Sequence, residues 1–217
     1  MVAQGCGDPP GVEEGGPGRE DILLPEPRAT GPVSLEEAVE RRRSVRDFRS
    51  DPLDLSQITQ LLWAAQGVTG RGGLRSVPSA GALYPIEVHL VAGCVEELEP
   101  GIYRFHPDQQ TLSQTRSGDR RDELAAAALG QDWMADAPAM ILVTAFSRRT
   151  TSVYGERGVR YVHMEVGHAA QNVYLQATAM ELGTTLVGAF GDDEVRGIAG
   201  LRSEEAPLGL MPVGAPR

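Results

Sequence analysis

The sequence predicts an α+β fold, and three observations carry that expectation. Residues 160–183 read as one long helix, because Val162, Val166, Ala169, Val173, Ala177 and Met180 recur at steps of three and four. Residues 86–92 and 139–146 are short, nearly continuous apolar runs of the kind that form buried strands. Shorter helical patterns and a hairpin alternate with those strands along the chain. The long helix carries a second apolar set, Met164, Leu175, Ala179 and Leu182, off the first stripe, so it is expected to be buried nearly all round. Gly167, Ala169, Ala170, Ala177 and Ala179 are small enough to let a partner helix approach, a pattern that suits a dimer contact, and Gly183 is the expected stop.

Composition bounds the rest. The 217 residues, 41% hydrophobic, suit one domain with one core. A net charge of -10 argues against nucleic acid and anionic membrane surfaces, both of which need a basic face, so any phosphate must be held by a local cluster. Cys6 and Cys94 are the only cysteines, too few for a disulfide framework or a thiolate metal site, and no metal site is expected. No run of about 18 apolar residues is present, so no membrane-spanning helix is expected and a cytoplasmic location is. Residues 3–6 faintly resemble the end of a lipoprotein signal, although a chance Cys in a tail explains them as well.

In chain order, residues 1–33 are rich in glycine and proline and read as a flexible arm ahead of a domain at 34–217. Ser34 and Glu37 form the start signal of a helix that runs into Arg41, Arg42 and Arg43. With Ser44 and Arg46 these arginines make a compact anion site, since guanidinium forks bind phosphate bidentately and the hydroxyl adds a donor. A basic helix end that complements the macrodipole explains the arginines equally well. Residues 52–67 read as a second helix capped by Asp54 or Ser56, and 67–73 as a glycine-rich irregular loop. Pro78 to Pro85 is a run of small residues ahead of the first strand, where a flat ligand could lie against backbone beside Ser79. A hairpin at 101–115, a helix at 119–129, a polar loop at 147–158, a strand at 184–190, a short helix at 192–199 and a last strand at 207–213 complete the reading.

The motifs RRRSVRDF, LLWAAQG, PSAGALYP, GIYRFHP, YGERGVRYVHMEVGHAAQN, LVGAF and PVGAP, in this order, resemble the nitroreductase superfamily, and within it the SagB-type dehydrogenase and thiazole/oxazole oxidase branch. The resemblance spans residues 20–217. It implies a central, mostly antiparallel sheet flanked by helices, a homodimer formed through the long central helix, and FMN at the dimer interface. It favours the phosphate reading of the arginine cluster. It assigns Arg42, Arg43 and Ser44 to the phosphate, Arg46 to the ribityl and pyrimidine edge, and Ser79, Gly81 and Leu83 to the ring. Gly188 and Ala189 match a strand end facing the hydride-accepting nitrogen, and Arg217 is a second candidate phosphate cation. Ala82 stands where many relatives carry an Asn, which removes one side-chain contact to the ring.

The resemblance implies an FMN-dependent oxidoreductase that passes hydride between NAD(P)H and a small organic acceptor by a ping-pong route. NAD(P)H is then a transient co-substrate, since no GxGxxG dinucleotide motif is present. Oxidase members of the branch carry a Lys-Tyr pair before the long helix; here Tyr154 is preceded by Val153, which argues against azoline oxidation and leaves Tyr154 as a candidate acid. A plain loop aromatic is the competing reading of Tyr154. His168 and Asn172 match a GHxxQN pattern whose polar groups serve equally well to hold a neighbouring loop. Two other functions stay open: an azoline dehydrogenase in a peptide-modifying complex, and a non-catalytic flavin-binding module.

Overall fold

The computed structural model describes residues 21–217. The elements in order are β1 (Ile22–Leu23), α1 (Leu35–Arg41), α2 (Leu55–Gln66), the small hairpin β2 (Val68–Gly70) and β3 (Leu74–Arg75), and, after a 3-10 turn at Ala80–Ala82, β4 (Ile86–Ala92). Next come β5 (Gly101–His106), β6 (Thr111–Ser117), α3 (Arg121–Ala127), a 3-10 turn at Asp132–Met134, β7 (Ala139–Ala145), α4 (Arg148–Tyr154) and α5 (Arg157–Ala179). β8 (Gly183–Thr184), α6 (Asp192–Ala199) and β9 (Ala206–Gly214) follow.

Seven strands form one sheet in the order β1-β6-β5-β4-β7-β9-β8, and neighbours pair antiparallel throughout. The two-residue period of a strand decides which core each side chain joins. Ile86, Val88, Leu90 and Ala92 of β4 face α2 and α5, whereas Val91 turns to the opposite core under α3 and α6. Because helices cover both faces, β7 at the centre is buried along its whole length, which is why its sequence is apolar without alternation. The expected α+β architecture, a mostly antiparallel sheet flanked by helices, is the one found.

Local signals explain the helix starts. The Ser34 side chain accepts from the Glu37 amide, and Asp54 with Gln57 forms a complete capping box at α2. On α5, Val162, Val166, Ala169, Val173 and Ala177 are buried as their spacing predicts. Burial all round does not follow within one chain: Met164 is 53% exposed and Leu175 only half-buried. The sequence puts apolar groups on two sides, and one domain covers one of them.

Several boundaries differ from expectation. The long helix ends at Ala179, and Gly183 does not stop it. Glu181, at a φ of 60°, takes the left-handed position. The Leu182 amide donates to the Ala177 carbonyl at 2.8 Å and the Glu181 amide to the Thr178 carbonyl at 3.1 Å, a complete Schellman closure. Residues 147–158 are not a loop but mostly α4, buried at Thr150; Gly158 lets this helix lie on α5, since an added Cβ would stand 2.9 Å from the Thr151 backbone. The glycine-rich stretch after α2 forms a short hairpin, β2–β3, whose register shifts between Val68 and Gly70 and whose turn uses Gly72 and Gly73 at positive φ. The strand expected at 184–190 is reduced to β8 and one bridge between Val187 and Leu210.

The arm expectation fails for residues 22–28. β1 pairs with β6, Leu24 is buried, and the Arg28 amide donates to the Gln60 side chain at 2.9 Å. Three apolar residues, Ile22, Leu23 and Leu24, suffice to add an edge strand despite the flanking prolines. Residues 1–20 of the expected arm, Cys6 included, lie outside the described residues. Among the described residues no helix is long and apolar enough to cross a membrane.

Candidate functional site

The arginine-rich segment is sorted by where α1 stops. Arg42 leaves helical geometry, with φ -53° and ψ 125°, and the chain runs extended beside β8: Ser44 bridges Thr184, and the Val45 amide donates to the Thr184 carbonyl at 3.0 Å. Alternation along extended backbone sets Arg42, Ser44 and Arg46 on one side and Val45 on the other. Val45 packs where Gly183 has no side chain, since a Cβ there would stand 2.6 Å from the Val45 Cβ. Arg41 returns to Glu37 at 2.8 Å. Arg43 donates Nη1 to the carbonyls of Glu40 and Arg42, both at 2.8 Å. These contacts tie Arg43 Nη1 to the helix end and leave its remaining guanidinium donors exposed.

Arg42 and Ser44 meet on Tyr174 of α5. The Arg42 guanidinium stands 5.1 Å from the ring centre, and the Ser44 hydroxyl 3.4 Å from the phenol oxygen. That phenol donates to Thr185 Oγ1 at 3.2 Å and accepts the Leu186 amide at 2.7 Å. Burial pushes the Tyr174 hydroxyl up, but the hydrogen bonds with Ser44, Thr185 and the Leu186 amide, together with the Arg42 charge, outweigh it and hold the phenol below its ordinary range. Arg46 lies over Trp133 at 5.9 Å, and Arg217 pairs with Asp47 at 3.3 Å, so the chain end joins the same segment. Gly188 and Ala189 are exposed beyond this cluster, and a Cβ on Gly188 would meet nothing within 4 Å.

A second group of residues gathers on the turn between β3 and β4. Ser79 Oγ accepts the Tyr84 amide at 2.9 Å and closes the turn. Inside it Gly81, Ala82 and Tyr84 all take positive φ, at 63°, 52° and 44°. Two non-glycine residues held left-handed mark stored strain of the kind found at ligand-binding loops. Helix α4 is pinned across this turn at both ends. Arg149 donates to the Tyr84 carbonyl at 2.9 Å and pairs with Glu87 at 2.6 Å, while the Tyr154 hydroxyl stands 2.8 Å from where a Gly81 Cβ would be. Leu83 is half-buried beside Gly81. Tyr154 is thus the last residue of a helix with its hydroxyl over the turn, not a loop aromatic.

Beneath the turn, α5 contributes Asn172, which donates to the carbonyls of Ala64 at 3.0 Å and Ser76 at 3.3 Å and so holds the chain leading to Ser79. His168 is exposed. Sequence reasoning singled out neither Tyr174 nor Glu165, which is 2% exposed beneath Ser79. A signal for both existed: each is a polar side chain on a helix whose neighbouring positions are buried.

The donor set suits a phosphomonoester with an attached flat ring. A guanidinium and a hydroxyl on Tyr174 match phosphate oxygens, Gly188 leaves its backbone open, and Gly81 leaves room that the Tyr154 hydroxyl fills.

Residues 39–215 match the nitroreductase family profile. A Methanocaldococcus jannaschii protein named "putative nitroreductase" is 48% identical over 182 residues, covering 84% of this chain and 91% of that protein. Among solved structures, one of a protein from Ralstonia eutropha bearing the same name superposes with a TM-score of 0.81 at 27% identity, covering 95% of this chain and 98% of that one. A like-named Anabaena variabilis protein gives a TM-score of 0.76 at 33% identity over 84% of this chain; that match spans only 38% of the Anabaena chain. The Escherichia coli microcin synthetase McbBCD complex, with truncated pro-MccB17 bound, shares the fold at a TM-score of 0.70 and 24% identity, over 93% of this chain and 79% of that one.

Proposed function

The chain belongs to the nitroreductase family, and from that premise we propose that it is an FMN-dependent oxidoreductase, working as a homodimer, that passes hydride from NAD(P)H to a small organic acceptor by a ping-pong route. The observation that carries the reading is the meeting of Arg42 and Ser44 on Tyr174, with Arg43 beside them as a further exposed cation for the phosphate. Bound FMN would supply the hydride chemistry, which no side chain at this site can perform. Arg42 and Ser44 would hold its phosphate, Arg46 would place positive charge near the ring edge, and Ser79, Gly81 and Leu83 would line the ring. Gly188 and Ala189 would offer backbone, and Arg217 a second cation. Tyr154, whose hydroxyl lies over Gly81, would give a proton to an acceptor lying on that turn. Azoline oxidation needs a base where this chain has Val153, which is 61% exposed and inert, and we do not propose it.

Homodimer formation is supported by surface that one chain leaves bare. Leu35 and Val39 on α1 and Val159 and Met164 on α5 are exposed apolar residues on two helices packed together. An antiparallel pairing of α5 with its copy would bring the turn of one chain beside the arginine cluster of the other.

The test is single-turnover mixing. The protein purified or reconstituted with FMN is mixed with NADH and, separately, NADPH while flavin absorbance is followed. Bleaching with one donor is the expected result. A protein that takes up no FMN at micromolar concentration would overturn the flavin reading, and one that binds FMN but bleaches with neither donor would overturn the nicotinamide step.

A further inference from the structure

Glu165 is an expensive residue to bury. It sits mid-helix on α5 among Val162, Val166 and Ala169, is 2% exposed, and its Oε1 has no well-formed hydrogen bond among the described residues. Its surroundings are polar on one side only: Ser79 and Gln66 lie close enough to favour the charged carboxyl and Arg75 acts on it by charge, yet neither Ser79 nor Gln66 completes a well-formed hydrogen bond to it. Gln66 has its oxygen taken by Arg75 Nη1 at 2.8 Å, and its Nε2 is likewise buried without a well-formed partner. Arg75 in turn is stacked on Tyr84 of the same turn, 4.7 Å from the ring centre. A buried carboxyl with unspent capacity therefore lies near the hydroxyl that closes the turn.

The hydrogen-bond inventory of Ser79 makes this arrangement consequential. A hydroxyl has one proton and two acceptor positions, and the Tyr84 amide already occupies one of those positions. If Glu165 is a carboxylate, it can only accept, so the Ser79 proton turns inward to it. If Glu165 is a carboxylic acid, its O–H can fill the second acceptor position of Ser79, and the Ser79 proton is free to point out of the turn. One proton on Glu165 thus selects whether the turn offers its ligand a donor.

We propose that Glu165 is a positioning residue that acts through Ser79: in its neutral form it frees the Ser79 hydroxyl to donate to the ligand on the turn, and in its ionised form it withdraws that donor. The inference rests on the flavin reading above, with the ring carbonyls as the acceptors. Burial pushes the Glu165 carboxyl up, against smaller opposing effects of Ser79, Gln66 and Arg75, so the neutral form persists above the usual carboxylate range. Arg75 of β3 is the charged group acting on it; Gln66 of α2 and Ser79 are neutral, and on α5 itself Tyr161 and His168 lie about one turn to either side.

The experiment compares FMN affinity, read by quenching of flavin fluorescence, between the wild type and Glu165→Gln from about pH 5 to 9. The Gln amide keeps a donor toward Ser79 and cannot titrate, while the FMN phosphate and every other group titrate alike in both proteins. The ratio of wild-type to variant Kd is expected to rise about tenfold from the acid to the alkaline limb, the worth of one hydrogen bond. Ser79→Ala in both backgrounds should abolish that pH dependence of the ratio. A ratio that stays flat while both proteins bind FMN would overturn the inference and leave the flavin reading intact. Failure to bind FMN at any pH overturns the flavin reading as well. An infrared titration of the protein without FMN gives an independent readout: a protonated-carboxyl band that Glu165→Gln removes, and that fades as pH rises through the same range as the change in the Kd ratio, is expected, and its absence from the wild type even at the acid limb would sink the proposal by itself.

Discussion

Glu205 is tied into a buried network with His89, Thr144 and Arg104. It is 0% exposed, and burial alone would push its carboxyl up. Hydrogen bonds with His89 and Thr144, and the charges of His89 and Arg104, outweigh that and bring it down to about 2. A carboxylate whose folded value lies below its ordinary 4.5 adds stability that is complete above about pH 4.5 and is lost as pH falls toward about 2. Glu205→Gln should therefore cost about 3 kcal/mol at pH 7 in denaturant unfolding, and the gap to wild type should close in that acid window. A gap unchanged down to pH 2 would mean the residue matters by shape and not by charge. At the candidate site, Tyr154→Phe should lower turnover about 100-fold or more while FMN stays bound, because only the proton-bearing oxygen over Gly81 is lost. Glu205 was not legible in the sequence, and Glu165 showed only as a polar residue among buried helical neighbours: what each carboxyl does depends on His89, Arg104 or Ser79, which only the fold brings near it.

The interior strands β4 and β7 were legible because burial on both faces leaves a nearly continuous apolar run, as in Ala139–Ala145, and so was the hydrophobic stripe of α5, whereas the short strands β1, β2 and β3 carried no such run. Helix α4 was not, because Arg148, Arg149, Thr150, Thr151 and Ser152 carry almost no apolar period; it is held by packing on α5 and by contacts of Arg149 and Tyr154 with a turn 65 or more residues earlier in the chain. The end of α5 was misplaced for a definite reason. Glycine is the default residue for the left-handed position after a helix, yet here Glu181 fills it and Gly183 is required where Val45 comes close. That division predicts opposite signs for two substitutions. Glu181→Gly relieves a left-handed side chain and should add about 0.5–1 kcal/mol to stability, less the entropy that glycine brings to the unfolded chain. Gly183→Ala drives a Cβ into Val45 and should cost about 1–3 kcal/mol. Thermal unfolding of both variants distinguishes this from a glycine cap at Gly183, which would make Glu181→Gly neutral.

On the scale of the whole molecule, the two halves of the candidate site sit at different stations of one helix. The turn rests on Glu165 and the arginine cluster on Tyr174, nine residues apart, or about 14 Å along the axis. The exposed side of α5 between them carries Gly167, His168 and Gln171, small or polar groups that admit a second helix. An isologous dimer about that midpoint places residue 165 of one chain opposite residue 174 of its partner, so each complete site would draw its phosphate cluster from one chain and its turn from the other. The arrangement makes a counting prediction. Arg42→Ala should weaken FMN binding by about 1.5–3 kcal/mol, the worth of a charge-assisted hydrogen bond. Gly81→Val should block the turn, because a side chain there meets the Tyr154 hydroxyl and a φ of 63° disfavours it. Each variant alone then has two damaged sites per dimer. In a heterodimer of the two, purified by separate affinity tags, both lesions fall in the same shared site and the other site is intact. One FMN bound per dimer with wild-type affinity is the expected stoichiometry. If each site is built within a single chain, every site in that heterodimer carries one lesion, and no tight FMN is recovered.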